Sequence, residues 1–541
     1  MVNNLTKKKY SFVKQATILA LSGLICRFIG FLYRVPLTNL IGDEGNGIYA
    51  SGYYIYTFLS IVSTAGIPAA ISKMISERVE LKRYEDAHNV FKVSLLVSGA
   101  IGLFGSLLVF IGARFLADIV DNPDSFYSLL TLSPTIFIVA IMAVYRGYFQ
   151  GLKTTVPTAV SQIIEQIFNA VFSVWVATIF IGYGTKYAAA GGTAGTGIGA
   201  LAGLFVVVLY YFLARKDIKS NMLRNPQDKK SLEVPKEIAA TIIKTAIPII
   251  IGTAVFSITN LIDMKMVISL LNKKLGFGMS HSQQLYGQLT GKYVVLITLP
   301  ISLSSALATV AIPNLAATWI RKDKLELKNK LNMALRLTML LSMPATIGVA
   351  ILGPQIVKLL YPQSPSGGLL LQIGSAAIVF AGLSQISTGI LQGIGKITIP
   401  MISAGYGAIV KILLNWLLIP IASINIFGAV ISTIACYITS GIINFYYLNK
   451  YAKVKIEYNN IFFKTLFASI GMGIACYFSY QLNIYCGIAD RISTVIAIIL
   501  SVFVYFFIMC LLGGIPKEDI LKMPCGNKIY KILVDVLHIR I

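Results

Sequence analysis

The stretch "YRGYFQGLKTTVPTAVSQIIEQ", Tyr145 to Gln166, begins with glycines, Arg146 and Lys153 and ends as an apolar run carrying one acid, Glu165. About 240 residues later, "TGILQGIGKITIPMISAGYGAIVKILLN", Thr388 to Asn415, follows the same plan. Gln150–Gly151 corresponds to Gln392–Gly393 at an offset of 242, and Pro157 to Pro400 at 243. The charge inside the second apolar run is Lys411, opposite in sign to Glu165. A second pair of phrases supports the duplication: "AGIPAAISKMISER" (Ala65 to Arg78) and "VAIPNLAATWIRK" (Val310 to Lys322) each carry an Ile-Pro followed by a basic loop.

The chain around these phrases is 56% hydrophobic and 13% charged over 541 residues, against about 25% charged in an average soluble domain. Apolar runs long enough to span hydrocarbon recur from end to end, which makes this an all-α polytopic membrane protein. A closed barrel is excluded, because its strands would alternate apolar and polar residues. The apolar-length criterion predicts about fourteen spans, near 12–40, 48–72, 91–112, 126–148, 156–181, 188–213, 241–271, 285–311, 332–353, 367–391, 399–420, 427–448, 461–482 and 492–512. The first run is too long for a signal peptide and is interrupted by Arg27 and Arg34, so it reads as a retained span.

Charge placement tests this layout independently. With the N-terminus in the cytoplasm, 35 of the 46 Lys and Arg fall inside or at inner helix ends, and six fall outside. This is the bias of the positive-inside rule, and it accounts for most of the net +24. Nucleic acid is not expected as a partner, because the basic residues lie in short, separated loops. Both termini are expected in the cytoplasm, with the chain crossing the plasma membrane many times.

The expected organisation is a six-helix lobe at 1–213, a cytoplasmic linker at 214–240 and a second six-helix lobe at 241–448. Two appended spans at 449–512 and an amphipathic cytoplasmic tail at 513–541 complete it. Each repeat holds an even number of spans, so the copies have parallel topology. Repeats of this kind favour a transporter with a central cavity that opens alternately to each side.

Seven ionisable residues fall within the spans: Arg27, Arg34, Glu165, Asp263, Lys265, Lys292 and Lys411. Charges in hydrocarbon cost at least a few kcal/mol and usually face a cavity or a partner. Five positive against two negative suits an anionic ligand such as a phosphate or diphosphate. Arg27 is mid-span, where snorkelling is difficult, and Lys411 is deep; both read as cavity cations. For Arg34 and Lys292, cavity lining and snorkelling stand side by side. Asp263 and Lys265 are two residues apart, on different helix faces, and each either serves the interior or reaches the outer surface. Glu165 is either a proton or cation site or one half of a pair, with a base across the lobes as one partner and structural hydrogen bonding as the other form; pairing is preferred.

Enzyme chemistry is not legible. The histidines His88, His281 and His538 are isolated, and the six cysteines have no paired spacing. "GIGKIT" lacks the glycine spacing and the hydroxyl residue of a phosphate loop. The glycine cluster "AAAGGTAGTGIGALAG", Ala188 to Gly203, reads as a surface for close helix packing.

The phrases "RGYFQGLKTTVPTAVSQIIEQ", "CRFIGFLYRVPLTNLIG", "GIYASGYYIYTFLSIVSTAGIPAAISK" and "QGIGKITIP" together resemble the polysaccharide-flippase branch of the MOP exporter superfamily. Within it, the resemblance is to the Gram-positive group of stage V sporulation protein B and the MurJ/YtgP-type lipid II flippases, and it covers nearly the whole chain. It implies fourteen helices in two lobes, alternating access, and an undecaprenyl-diphosphate-linked sugar moved from inner to outer leaflet. The family's Arg-x-x-Gly-Phe arginine falls on Arg27, and a second family arginine is matched by Arg34 only with a one-residue displacement. An arginine carried by some members in the second span has no counterpart near Ser60. The resemblance also implies Na+ or H+ coupling through an acid in the seventh span, a region that holds Asp263, and no other cofactor. The expected partners are the lipid-linked anionic glycan, the phospholipid bilayer and proteins of cell-wall synthesis. A multidrug cation exporter of the same superfamily would call for an acidic cavity, and a membrane glycosyltransferase or ligase would need converging acids or metal ligands.

Overall fold

The computed structural model describes residues 12–64, 66–227 and 232–514, and every regular element among them is a helix. In chain order these are α1 (Phe12–Thr64), α2 (Ile67–Glu80), α3 (Tyr84–Ile119), α4 (Phe126–Gly151), α5 (Val156–Phe180) and α6 (Thr185–Arg224). There follow α7 (Pro235–Ser269), α8 (Met279–Gly287), α9 (Val294–Arg321), α10 (Lys324–Leu360), α11 (Gly368–Gly374) and α12 (Ala376–Gly393). The last four are α13 (Thr398–Leu418), α14 (Phe427–Ala452), α15 (Lys464–Tyr485) and α16 (Asp490–Leu511). Helices dominate because only they satisfy every backbone group within one segment in hydrocarbon.

Twelve stretches among the described residues are long and apolar enough to cross a membrane. The first, Thr17–Glu80, is 64 residues long and takes in the expected span at 48–72 and all but the start of the one at 12–40. The expected span at 241–271 coincides with α7, parts of which lie outside the described side chains, and it is not among the twelve. The amphipathic tail expected after Gly513 falls at 515–541, outside the described residues, as do Lys7, Lys8 and Lys9.

The chain divides into two compact units, one of residues 1–291 with 415–426 and the other of residues 292–414 with 427–541. By contact, α7, α8 and the end of α13 therefore group with the N-terminal helices, whereas the repeat places α7 and α8 at the head of the second copy.

Within the first unit, α1 is two helical limbs joined at Gly42, whose φ of 69° and ψ of −174° break the helix. A side chain there would be strained, so glycine sets the turn. Asn46 closes it: its amide donates to the Gly42 carbonyl at 2.7 Å, and its oxygen accepts from Thr38 Oγ1 at 3.3 Å. Farther along, the glycine cluster of α6 lies against α5. A Cβ on Gly195 would collide with the Ser173 backbone, and one on Gly199 with the Glu165 backbone. The small residues thus bring two backbones together, as their spacing suggested.

In the second unit, the segment between α14 and α15 is tied to α10. Asn332 donates to the Lys455 carbonyl at 3.2 Å and accepts from the Glu457 amide at 3.3 Å. The Glu457 carboxylate accepts from Asn460 at 3.3 Å and lies 3.3 Å from the Lys328 ammonium. The Asn460 hydrogen bond, with Lys328 adding to it, holds the Glu457 carboxyl below its ordinary value of 4.5 against the opposing effect of burial. A depressed carboxylate contributes stability above its unfolded value and loses it as pH falls through the folded value. The stability gap between wild type and Glu457→Gln is therefore expected to close as the medium is acidified through and below 4.5. Because Glu457 is half exposed, the gap itself should stay below about 1 kcal/mol. Thermal melts of both proteins across that range check this, and a gap that widens on acidification refutes it.

Candidate functional site

The N-terminal limb of α1 carries the two span arginines seven residues apart, at positions 27 and 34. Two helical turns separate them, about 10 Å along one face. Ser22 on this limb donates to Gln162 of α5 at 3.2 Å, and the Gln15 amide donates to the Lys153 carbonyl at 2.6 Å, so α5 and the turn before it orient the limb. Arg27 is exposed on it. Arg34 is half-buried, with its guanidinium 4.2 Å from the ring centre of Tyr49 on the return limb. That cation–π contact orients Arg34 without consuming its donors.

Glu165 on α5 is paired. Arg146 of α4 donates to it at 2.7 Å and, through Nε, to Ser161 Oγ at 2.9 Å. The base lies in the same lobe and not across the lobes, a correction to the cross-lobe alternative. The reason is geometric: α4 continues to Gly151, so Arg146 sits within the helix wall facing α5 and its charge does not reach free loop space. Sequence reasoning grouped Arg146 with the inner helix ends and so missed it; the signal was its place beside the duplicated turn.

The two copies can be compared at residue level. After α4, Leu152, Lys153 and Thr154 donate to the carbonyls of Tyr148, Gln150 and Phe149. After α12, Ile394, Gly395 and Lys396 donate to Ile390, Gln392 and Leu391, the same turn at a constant offset of 242. Helices α5 and α13 also begin in step, at Val156 and Thr398. Their second-turn serines match: Ser161 donates to the Thr158 carbonyl at 2.8 Å and Ser403 to the Pro400 carbonyl at 3.0 Å. The prolines at 157 and 400 are therefore out of register by one residue.

At this offset Arg146 corresponds to Thr388 and Glu165 to Gly407. The second copy replaces the ion pair with neutral groups: Ser403 donates to Asn444 at 2.6 Å, and Asn444 donates to Thr388 at 3.0 Å. Lys411 corresponds to Asn169, so Glu165 and Lys411 occupy different helical positions. Lys411 is half-buried on α13.

Asp263 on α7 is half-buried and accepts from the Asn415 amide at 2.6 Å. Lys265 is exposed on the same helix. Among the described residues no group of three or more His, Cys, Asp or Glu gathers that could hold a metal ion. Asn415, one helical turn beyond Lys411, was not singled out from the sequence as the partner of Asp263.

Lys292 lies elsewhere in character. It sits in a π-helical turn, Gln288–Tyr293, and is fully buried. Its ammonium donates to the Ser364 carbonyl at 2.5 Å, Ser364 Oγ at 3.0 Å and the Ser366 carbonyl at 3.0 Å. The loop between α10 and α11 thus surrounds the charge, and its donors face protein oxygens.

Comparison with known proteins gives this geometry a context. A sequence model of the family described as "Polysaccharide biosynthesis protein" matches residues 12–319, more than half of the chain, and the MatE model matches residues 248–417. The chain is 24% identical to stage V sporulation protein B of Bacillus subtilis (strain 168), over 95% of this chain and 98% of that protein. It is 28% identical to the lipid II flippase MurJ of the same organism, over 80% and 82% of the two chains. Among solved structures, the lipid II flippase MurJ in an inward closed conformation superposes with a TM-score of 0.66 at 17% identity, covering 91% of this chain and 98% of that one. An inward-facing multidrug resistance MATE family transporter of the MOP superfamily superposes with a TM-score of 0.65 at 15% identity, covering 79% and 94%. The chain is a multi-pass membrane protein with the fold of the MOP superfamily, and it belongs to the polysaccharide biosynthesis protein family.

Proposed function

We propose that this protein is a flippase that moves an undecaprenyl-diphosphate-linked cell-wall precursor, with lipid II as the leading substrate, from the inner to the outer leaflet. The observation that carries the reading is the placement of Arg27 and Arg34 two turns apart on one limb of α1, with Arg27 exposed and Arg34 stacked on Tyr49. Guanidinium groups bind phosphate oxygens through paired N–H donors. A diphosphate spanning two such groups would be held by its charge while the lipid tail stays in hydrocarbon. Movement would follow alternating access, with no bond made or broken. Lys411 is retained as a cavity cation; Lys292 is assigned to its loop. Asp263 with Asn415 is assigned the coupling ion, Na+ or H+, which travels as cargo. Another lipid-linked polysaccharide unit is the second reading for the substrate. The MatE match brings in multidrug or cation antiport as a further reading, and paired arginines on α1 weigh against a cationic cargo.

The test is rescue of a strain depleted of its lipid II flippase. Wild type is expected to restore growth and expose the precursor on the outer surface. Arg27→Ala at equal abundance should lower exposure at least about tenfold, as loss of a charge-assisted hydrogen bond implies. Asp263→Asn should remove the dependence on an imposed Na+ or H+ gradient. Failure of wild type to rescue removes the substrate assignment, and full rescue by Arg27→Ala removes the site assignment.

A further inference from the structure

Where α9 ends, α10 begins and α14 ends, the second unit forms a half-open pocket of about 510 Å³. Trp319, Lys322, Lys324, Lys450, Tyr451 and Lys453 line it. The four lysines are exposed, and among the described residues none has a carboxylate within salt-bridge distance. The one acid on the wall, Asp323, is engaged as the cap of α10, accepting from the Glu326 amide at 2.9 Å. Nearby acids serve other bases: Glu457 meets Lys328, and Glu326 meets Lys330 at 2.6 Å.

The aromatic wall is built with equal care for charge. Tyr451 stacks on Tyr447 with ring centres 6.1 Å apart. Lys396 lies 4.7 Å from the Tyr451 ring centre and Lys450 5.8 Å from that of Tyr447. Lys396 belongs to the duplicated turn after α12, so the "GIGK" phrase packs against a wall residue from outside the pocket.

The first copy shows what the equivalent junction looks like when filled. At the end of α2 and the start of α3, Glu233 of the linker pairs with Arg78 and lies 3.7 Å from Arg83. Buried Asp86 holds the linker there, accepting from Gln227 at 2.8 Å and from the Glu233 amide at 3.0 Å. The basic junction of the first copy is thus met by a carboxylate of its own linker; in the second copy the equivalent segment brings Glu457 to Lys328, and the four lysines of the pocket stay outside that pair.

We propose that this cavity binds a phosphate-bearing anion, with the lysines on the phosphate and the Trp319–Tyr451 side against the rest of the ligand. A lipid head group and a free phosphate compound share this chemistry, and the test separates them. Full-length protein is placed in nanodiscs of phosphatidylcholine, with either phosphatidylglycerol added to the bilayer or pyrophosphate added to the solution. Binding is read by native mass spectrometry and by protection of the four lysines from amine labelling. Lys324→Gln with Lys450→Gln should weaken binding by about fivefold per lysine removed, as charge attraction at a membrane surface implies. Lys324→Arg with Lys450→Arg should retain binding, and Lys358→Gln, outside the cavity, should leave it unchanged. Phosphatidylglycerol-dependent protection lost in the glutamine variant supports a lipid source, and pyrophosphate-dependent protection lost in it supports a soluble one. Equal labelling with both probes and with neither, or binding that survives in the glutamine variant, overturns the proposal. The arginine variant guards against misfolding, because it keeps the charge at the same positions.

Discussion

Arg146→Ala is expected to destabilise the first unit by about 3 kcal/mol, because it leaves the Glu165 carboxylate without its base in a membrane wall. The pair is partly buried, with side-chain exposures of 15% for Arg146 and 27% for Glu165, so solvent screens it only in part. Glu165 has little room to escape: the glycine face of α6 lies against its backbone at Gly199 and against its Cβ at Gly203. Glu165→Gln should cost less, since an amide oxygen still accepts from Arg146 and no lone carboxylate remains. Removing both charges should recover much of the loss, as the second copy illustrates with Thr388 and Gly407 at the same two positions. A double-mutant cycle by denaturant titration in one detergent should therefore return a coupling of about 2 kcal/mol. Additive single and double variants would show that the pair contributes nothing specific.

Lys292→Met should be comparably damaging, for a different reason. The substitution nearly preserves side-chain length but removes the donor that three loop oxygens share. Buried acceptors left without donors cost about 1–3 kcal/mol each, so a total of about 3 kcal/mol is expected. Lys292→Arg should not rescue fully, because a fully buried site shaped for a compact ammonium must admit a wider planar group. The adjacent packing leaves little slack: a Cβ on Gly374 would collide with the Tyr293 ring. The decisive readout is hydrogen exchange across 361–367, which should accelerate in Lys292→Met. If Lys292 instead served cargo directly, transport would fall while exchange and unfolding midpoint stayed at wild-type values.

Much of this protein was legible in one dimension. Length and apolarity of runs mark a helical membrane protein, since hydrocarbon admits only helices and closed barrels and the runs lack a barrel's alternation. The Gln-Gly phrase at 150–151 and 392–393 announces a duplication, and the turns that follow share three hydrogen bonds at one offset. The glycines of α6 announce close packing, because small residues at that spacing let two backbones meet. In each case the message is carried by local periodicity or by backbone chemistry.

The partners of the membrane charges were not legible in the same way. Arg146 and Glu165 are 19 residues apart across a turn, Asp263 and Asn415 are 152 apart, and Lys292 meets a loop 72 residues away. Sequence by itself determined that these charges exist, which sign they carry and that hydrocarbon would demand something of each. Only the tertiary structure decided the answer: an ion pair within one lobe, an amide beside an acid, and a loop wrapped around a lysine. Charge is a property of a residue, but the groups that satisfy it are chosen by the packing of distant helices.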